Sequence, residues 1–600
     1  MKTKLSPIFA VLLFFAAAAH AQFNYTTNNG TIAITGYTGT NDDLVIPSTI
    51  DGLPVTSIES NAFTMLLWQV VMGSPISTIV GHTNLSELTI PSSVTNVSDQ
   101  AFAYCSGLTN ITVDPANNLF SSIEGVLFSK NQDTIIAYPQ GKAAVFYAIP
   151  QSVTTIGNSA FSWSFGLSRV VMGNGITIIG DSAFLRCDGL ANVEIGTGVK
   201  SIGKFAFGGC GQLTSIVIPR GVTIIDDSAF SGCFLTNVII PDSVLNIGDS
   251  AFFPVYGLTD VSIGNGVTNI GASAFQQCAE LNSVTIGKNV RAIGDLAFAY
   301  TALASVTIPD NVETVGDSAF YICGFLTNVE VGAGVTGIGN AAFSRCDKLM
   351  AFDVAGQNSS YSSLNGVLFD KAQHTLLQYP GGKEGAYVIP GAVTSIGENA
   401  FATSSGLTKV WIPDSVTNIG PTAFWECRLT NIFLGNGLVT IGTSAFADCS
   451  ALTDITLPSS LVAIGSGAFT DCRNLTTINF QGNAPNSGGD VELFVNDWGA
   501  TVYYLPGTTG WGSTFGGIRT ALWSLPYPII LNGSLGVQSN GFAFTVSWAT
   551  NASVVLEGST DLNNPNWSPV ATNNLVGGSF YFTDPMWTSS PRRFFRVRSQ

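Results

Sequence analysis

The sequence predicts a β-rich solenoid of about 15 units, each 22 or 23 residues long, followed by a small C-terminal β-sandwich-like domain. Three observations predict it. An Ala-Phe pair recurs at nearly constant spacing through most of the chain. Alternating apolar segments with the period of a half-buried strand lie between the copies. The composition, with 65 Gly and 39 Phe, 46% hydrophobic and only 10% charged residues, suits short strands separated by turns. Six hundred residues are too many for one compact core and too apolar for a disordered chain, so several domains or one repeating array must share them.

The first element is residues 1–21. Lys2 and Lys4 precede an apolar run from Ile8 to Ala19 and then Ala19-His20-Ala21, the order of a charged region, an apolar core and a small-x-small cleavage site. This predicts a signal peptide cleaved after Ala21. The alternative is an uncleaved anchor helix, for which an apolar run of about a dozen residues falls short of the roughly 20 that span a bilayer. No other stretch approaches a span, so the expected mature chain has no transmembrane segment and is secreted, extracellular or at the cell surface. Cleavage removes two Lys and no acid, leaving 21 basic against 39 acidic residues, a net charge of −18. That balance argues against a nucleic-acid partner, whose phosphates call for Lys/Arg patches.

Residues 22–60 read as an N-terminal cap segment and 61–480 as the repeats. The repeat Phe stands at 63, 102, 161, 184, 207, 230, 252, 275, 298, 320, 343, 401, 424, 446 and 469. One unit reads Leu213-Thr-Ser-Ile-Val-Ile-Pro219, then Val222-Thr-Ile-Ile225, then Ala229-Phe230 and Cys233. Leu213, Ile216 and Ile218 have the L-x-x-L-x-L spacing in which a strand turns alternate side chains inward. Such a unit cannot bury its apolar face alone, so neighbours must stack into a continuous core. Phe184, Phe207, Phe230, Phe275 and Phe298 are then expected in an internal ladder. All ten Cys follow a repeat Phe by three residues, at 105, 187, 210, 233, 278, 323, 346, 427, 449 and 472. Cys187, Cys210 and Cys233 therefore read as one rung position for a small buried hydrophobe, free and not disulfide-bonded, because Ser164, Val255, Thr301 and Ser404 take the same place elsewhere.

The unit L-T-x-V-x-I-P-x-x-V-T-x-I-G-x-x-A-F-x-x-C closely resembles the BspA-type leucine-rich repeat of bacterial surface proteins, over about residues 30 to 480. The run Gly36-Tyr37-Thr38-Gly39, through Leu44-Val-Ile-Pro47, to Gly52-Leu-Pro-Val-Thr-Ser57 is similar to the N-terminal segment of that family. The resemblance implies a leucine-rich-repeat solenoid in a surface protein that attaches to host matrix proteins, other cells or polymers.

Two insertions, near 114–150 and 354–390, interrupt the period and resemble each other at an offset of 241 residues. Gly125-Val-Leu-Phe128, Tyr138-Pro139 and Lys142 correspond to Gly366-Val-Leu-Phe369, Tyr379-Pro380 and Lys383. Apolar runs around Ser129-Lys-Asn-Gln-Asp133 and Asp370-Lys-Ala-Gln-His374 predict hairpins with polar tips. The insertions read as decorated repeats, or else as protrusions that grip a ligand. Residues 481–525 read as a C-terminal cap that keeps the last rung from pairing at its edge. From 526 to 600, the runs Phe542–Trp548, Ser553–Glu557, Ser579–Phe582 and Arg593–Arg598 alternate as in a small β domain, a possible sorting or attachment module. Its Trp548, Trp567 and Trp587 are expected in the core rather than as sugar platforms.

No constellation for chemistry emerges. Of three His, His20 leaves with the leader, and His82 and His374 stand in unlike contexts, so no His-based triad or metal site is proposed. There is no phosphate-binding loop, and the Gly-Asn-Gly runs at 173, 264 and 435 are turns. Asp181, Asp227, Asp249, Asp295 and Asp317 recur just before the Ala-Phe and read as solvated turn or cap positions. The expectation is a protein without catalytic residues, metal or cofactor, whose partner is an extracellular protein or a polysaccharide. The third and fifth strand positions face outward and hold polar pairs such as Ser283 with Thr285 and Ser305 with Thr307. Lys409 with Trp411, and Asn431 with Phe433 one repeat later, are read as the exceptions, which makes Lys409, Trp411 and Phe433 the candidate ligand contacts. Burial under an insertion or the C-terminal domain, or mutual cross-strand support, is the competing account. At the level of function, a binding or adhesion protein competes with a structural envelope or matrix spacer and with a polysaccharide-degrading solenoid enzyme.

Overall fold

A computed structural model of the chain describes residues 22–71, 74–487, 492–525, 527–538, 541–548, 551–562, 564–584, 586 and 593–600. The expected leader with its Ala21 cleavage site, and Trp587, lie outside them. The chain is a β-solenoid. Among the described residues there is no α-helix, only a 3-10 turn at Val576–Gly578. It divides into two compact units, Met1–Cys323 with Gly337–Ala342, and Gly324–Thr336 with Phe343–Gln600.

The first unit opens with an antiparallel pair, Phe23–Asn28 on Thr31–Tyr37, and Leu53–Ile58 then joins Thr31–Tyr37 in parallel. The L-x-x-L-x-L segments form short parallel ladders, for example Asn237–Ile240, Asp260–Ile263 and Ser283–Thr285 in register. The longest sheet, however, is built from the Val-Thr-x-Ile segments that follow. Two-residue strands from Thr155–Ile156 to Gly337–Ile338 pair in parallel, one per rung, within a sheet of 12 strands. A third row of contacts runs through the Ala-Phe pair, where the Phe230 and Phe275 amides donate to the Ala251 and Ala297 carbonyls of the next rung.

Local sequence explains why the rungs close. The Gly that follows most of the short strands, replaced by Asp226 after Ile224–Ile225, lets neighbouring backbones approach: a Cβ on Gly271 would lie 2.6 Å from the Gly248 backbone, and one on Gly294 2.6 Å from Ala272 N. Left-handed residues two before and two after the ladder Phe, such as Ser273 (φ 55°) and Gln277 (φ 57°), turn the chain tightly around it. The Phe rings then stack. Centroids lie 5.2 Å apart for Phe184–Phe207, 5.4 Å for Phe207–Phe230 and 5.3 Å for Phe275–Phe298, with planes within 6° of parallel and every ring fully buried. The thiols form a second column, in which Cys187, Cys210 and Cys233 donate to the carbonyls of Phe161, Phe184 and Phe207 at 3.0–3.2 Å. All ten Cys are buried and free.

Each insertion is a three-stranded antiparallel meander woven into a ladder. In the first unit Phe120–Ile123, Val126–Ser129 and Thr134–Ala137 pair in turn, and Thr134–Ala137 then pairs in parallel with Thr155–Ile156. The second unit repeats this with Tyr361–Leu364, Val367–Asp370 and Thr375–Gln378, the last joining Ser395–Ile396. Tyr138 and Tyr379 occupy the ladder place, their rings 4.9 and 5.1 Å from Phe161 and Phe401.

In the second unit the ladder runs Phe401, Phe424, Phe446, Phe469 and goes on, past the last Ala-Phe pair, to Phe494 at 5.6 Å. Thr501–Tyr504 likewise continues the parallel sheet beyond Thr477–Phe480. Phe480, Tyr504, Trp511 and Phe515 pack over this end, with Trp511 4.8 Å from Phe480 and stacked on Tyr504 at 5.2 Å. Further on, two three-stranded antiparallel sheets, Ile529–Gln538 with Gly541–Ser547 and Ser579–Asp584, and Ser553–Ser559 with Ser568–Asn574 and Phe594–Ser599, share one apolar cluster around Phe544, Leu556 and Phe582. Trp548 is half-buried against that cluster and donates Nε1 to Leu525 O, while Trp567 lies half-buried under the Arg596 guanidinium.

Candidate ligand-contact surface

Strand Leu407–Trp411 sends Leu407 and Val410 into the core and leaves Lys409 and Trp411 outside. Strand Asn431–Phe433 buries Ile432 and exposes Phe433. The two pair in parallel, so the register sets Lys409 beside Asn431 and Trp411 beside Phe433. The rings stack at 4.9 Å with planes 13° apart, Trp411 is 38% exposed and Phe433 46%, so no other described part of the chain covers them. On the other flank Gly385–Val388 places Val388, 66% exposed, opposite Trp411. The outcome is a stripe of three exposed apolar side chains bordered by an ammonium and an amide.

The outward positions are less uniformly polar than the sequence reading held. In the first unit Val217 and Ile239 occupy the same fifth strand position in consecutive rungs and are 80% and 71% exposed. Trp411 and Phe433 are thus one apolar stretch among several, distinguished by being aromatic and stacked. The signal for Val217 and Ile239 was in the L-x-x-L-x-L spacing itself.

The turns carry a feature that sequence reasoning passed over. In the second unit, side chains two and four residues beyond successive ladder Phe line an open cleft of about 450 Å³. Arg345 and Asp347 lie at one end, Glu426 and Arg428 in the middle, Asp471 and Arg473 at the other. The network is held in place: Arg345 pairs with Glu426, beyond the rung of Phe401, and stacks on Trp425 at 5.3 Å. Trp425 Nε1 donates to Asp448, and Asp471 Oδ1 accepts from Arg473 and from Asn496 Nδ2. Arg473 and Asn496 hold the Asp471 carboxyl below the usual range. A charge at those two turn positions in consecutive rungs is the pattern that could have flagged the cleft.

Beneath it lies Asp497, three residues after Phe494 and so in the thiol column. It is 1% exposed, its carboxyl has no side-chain hydrogen-bond partner among the described residues, and burial together with Asp471 pushes its pKa up to about 7 against the opposing pull of the Cys472 backbone. His82 is buried, its Nε2 2.7 Å from Tyr37 O, and His374 is exposed at a hairpin tip. Among the described residues no three His, Cys, Asp or Glu converge as metal ligands, and no helix is long and apolar enough to cross a membrane.

Comparison with known proteins gives a family and a set of structural likenesses. The profile of a family described as the BspA type leucine rich repeat region matches residues 42–143, 141–258, 246–371 and 385–490. No curated protein matches the sequence. Among solved structures, a leucine rich cell surface protein from Faecalibacterium prausnitzii is 23% identical, with 80% of this chain and 93% of that one covered and a TM-score of 0.34. A leucine-rich repeat protein from Bacteroides ovatus is 21% identical, with 60% and 93% covered and a TM-score of 0.41. The pneumococcal vaccine antigen PcpA is also 21% identical, with 65% and 86% covered and a TM-score of 0.35.

Proposed function

Because the chain belongs to the BspA-type leucine-rich repeat family, we propose that it is a secreted or cell-surface binding protein whose solenoid presents its strand face to an extracellular protein or polysaccharide. The observation that carries this reading is the stacked pair Trp411 and Phe433 with Lys409 at its border, an aromatic platform left in solvent on a rigid parallel sheet. Exposed aromatics beside a cation are the residue types that anchor protein contacts and sugar rings. The leader, the cover over 481–525 and the β domain at 526–600 fit the same reading, as export signal, closure and attachment module.

The test is a screen of the mature chain against protein and glycan arrays, followed by the double variant Trp411→Ala, Phe433→Ala. With the melting temperature unchanged, affinity for the ligand found should drop at least about tenfold, or 1.4 kcal/mol. Unchanged affinity would mean that the two rings only brace neighbouring strands and would send the search for the contact to the two insertions and the C-terminal β domain, whereas a screen without any ligand would favour the spacer reading.

A further inference from the structure

The cleft on the turns of the second unit has the properties of a site for a ligand unlike any the strand face suits. Its lining carries both signs of charge. Glu426, Asp448 and Asp471 share one turn position in three successive rungs, with Arg428 and Arg473 two residues beyond Glu426 and Asp471, and Arg345 with Asp347 at the far end, so an anion or a cation bound here would meet like charge close to its partner. The hydroxyls of Thr403, Ser405 and Ser450 fill the remaining places. Carboxylates that only accept, guanidinium groups that only donate and hydroxyls that do both therefore stand side by side. A polyhydroxylated neutral ligand satisfies that mixture, because each of its hydroxyls is donor and acceptor at once and a vicinal pair can span a carboxylate or a guanidinium edge.

Two further features narrow the class. Arg473 also lines a second depression with Asn496, Trp498 and Gly499. Trp498 is 91% exposed, the most exposed large apolar side chain described. An indole held in water beside hydrogen-bonding groups is a surface for the C–H face of a pyranose ring. The rungs also repeat at 5.1 and 5.3 Å along Phe424, Phe446 and Phe469. An extended β-1,4-linked hexopyranose chain advances by nearly that distance per sugar, so successive residues would meet successive rungs in register.

We propose that the cleft from Arg345 to Arg473, with Trp498 at its end, binds an extended neutral polysaccharide at about one sugar per rung. Arg345 paired with Glu426, and Asp471 held by Arg473 and Asn496, fix the lining before the ligand arrives, which lowers the ordering cost of binding. The Arg428 guanidinium and the Ser450 hydroxyl are exposed and make no hydrogen bond among the described residues, although the Ser450 backbone bonds Asp448 O and Asn474 Nδ2, so these two side chains keep their donors for the ligand. The inference rests on the reading of the chain as a binding protein, and moves this ligand from the strand face to the turns.

The experiment titrates the full mature chain with cellohexaose, xylohexaose and mannohexaose, and with a sulfated hexasaccharide, in a calorimeter at low and at high NaCl. At least one neutral hexasaccharide should bind with an affinity that salt barely alters. Trp498→Ala and Asp448→Asn should each weaken it at least about tenfold with the melting temperature unchanged. Binding to the sulfated sugar alone with steep salt dependence, or to none of the four, would overturn the proposal. So would neutral-sugar binding that survives both variants and is lost in the Trp411→Ala, Phe433→Ala protein, a result that leaves the strand face standing and removes the cleft.

Discussion

Asp497 stands where ten rungs carry cysteine, and the exchange of a thiol for a carboxyl sets a pH dependence. A thiol in that column stays neutral: burial pushes Cys187, Cys233, Cys278 and Cys427 up to about 12. Asp497, beside Cys472 and Asp471, keeps its proton to about pH 7, whereas in the unfolded chain it loses it near pH 4. Between those values the folded state holds a proton that the unfolded state has released, so the group's contribution to stability is complete below about pH 4, declines as pH rises and levels off above about 7. Asp497→Asn removes the titration. Its melting temperature should exceed that of the wild type at pH 8, by an amount reflecting a few kcal/mol at about 1.4 kcal/mol per unit, and the two curves should converge by pH 4. Parallel curves across that range would show that the carboxyl is solvated.

At the scale of the element, the insertions depend on one buried amide each. Asn117 donates Nδ2 to Pro91 O and Val94 O, both at 2.9 Å, and accepts from the Leu119 and Phe120 amides, also at 2.9 Å. Asn358 makes the same four bonds to Gly332, Val335, Ser360 and Tyr361. Asn117→Ala removes four hydrogen bonds at once from a fully buried site, which should cost about 3 kcal/mol or more although Pro91 O keeps the Val94 amide as a donor, while the same change at exposed Asn118 should stay within about 0.5 kcal/mol. The denaturation midpoints of the two variants compare them directly. These amides were invisible in the sequence because an Asn in a polar loop looks the same whether its side chain faces water or carbonyls. What the sequence did disclose was whatever repeats: the inward triplet of L-x-x-L-x-L, the Ala-Phe register, and the adjacency of Trp411 and Phe433 from their 22-residue spacing. The two-residue strands of the longest sheet are too short to show a period. The rung of Phe494 hid because Leu493 and Asp497 replace its Ala and Cys, and the cleft because turn side chains follow no apolar pattern.

Over the whole molecule the ten thiols report on whether rungs remain stacked, since each is buried, outside any disulfide and, in nine described cases, donates to the carbonyl of the ladder Phe one rung back. A thiol reagent near neutral pH should find few reactive groups in the native protein and close to ten after denaturation without reductant; five disulfides by mass spectrometry would contradict the structure. The insertions have a different consequence at this scale. Asn117 and Asn358, Lys130 and Lys371, and Tyr138 and Tyr379 each stand 241 residues apart, and each member of a pair has the same role in its own unit, Lys130 and Lys371 donating to the equivalent carbonyls of Pro115 and Gly356. Deleting residues 131–371 would join Lys130 to Ala372 at equivalent points of one meander, so a variant shorter by that block of 241 residues is expected to fold, and loss of its cooperative melt would show that the two meanders are not interchangeable.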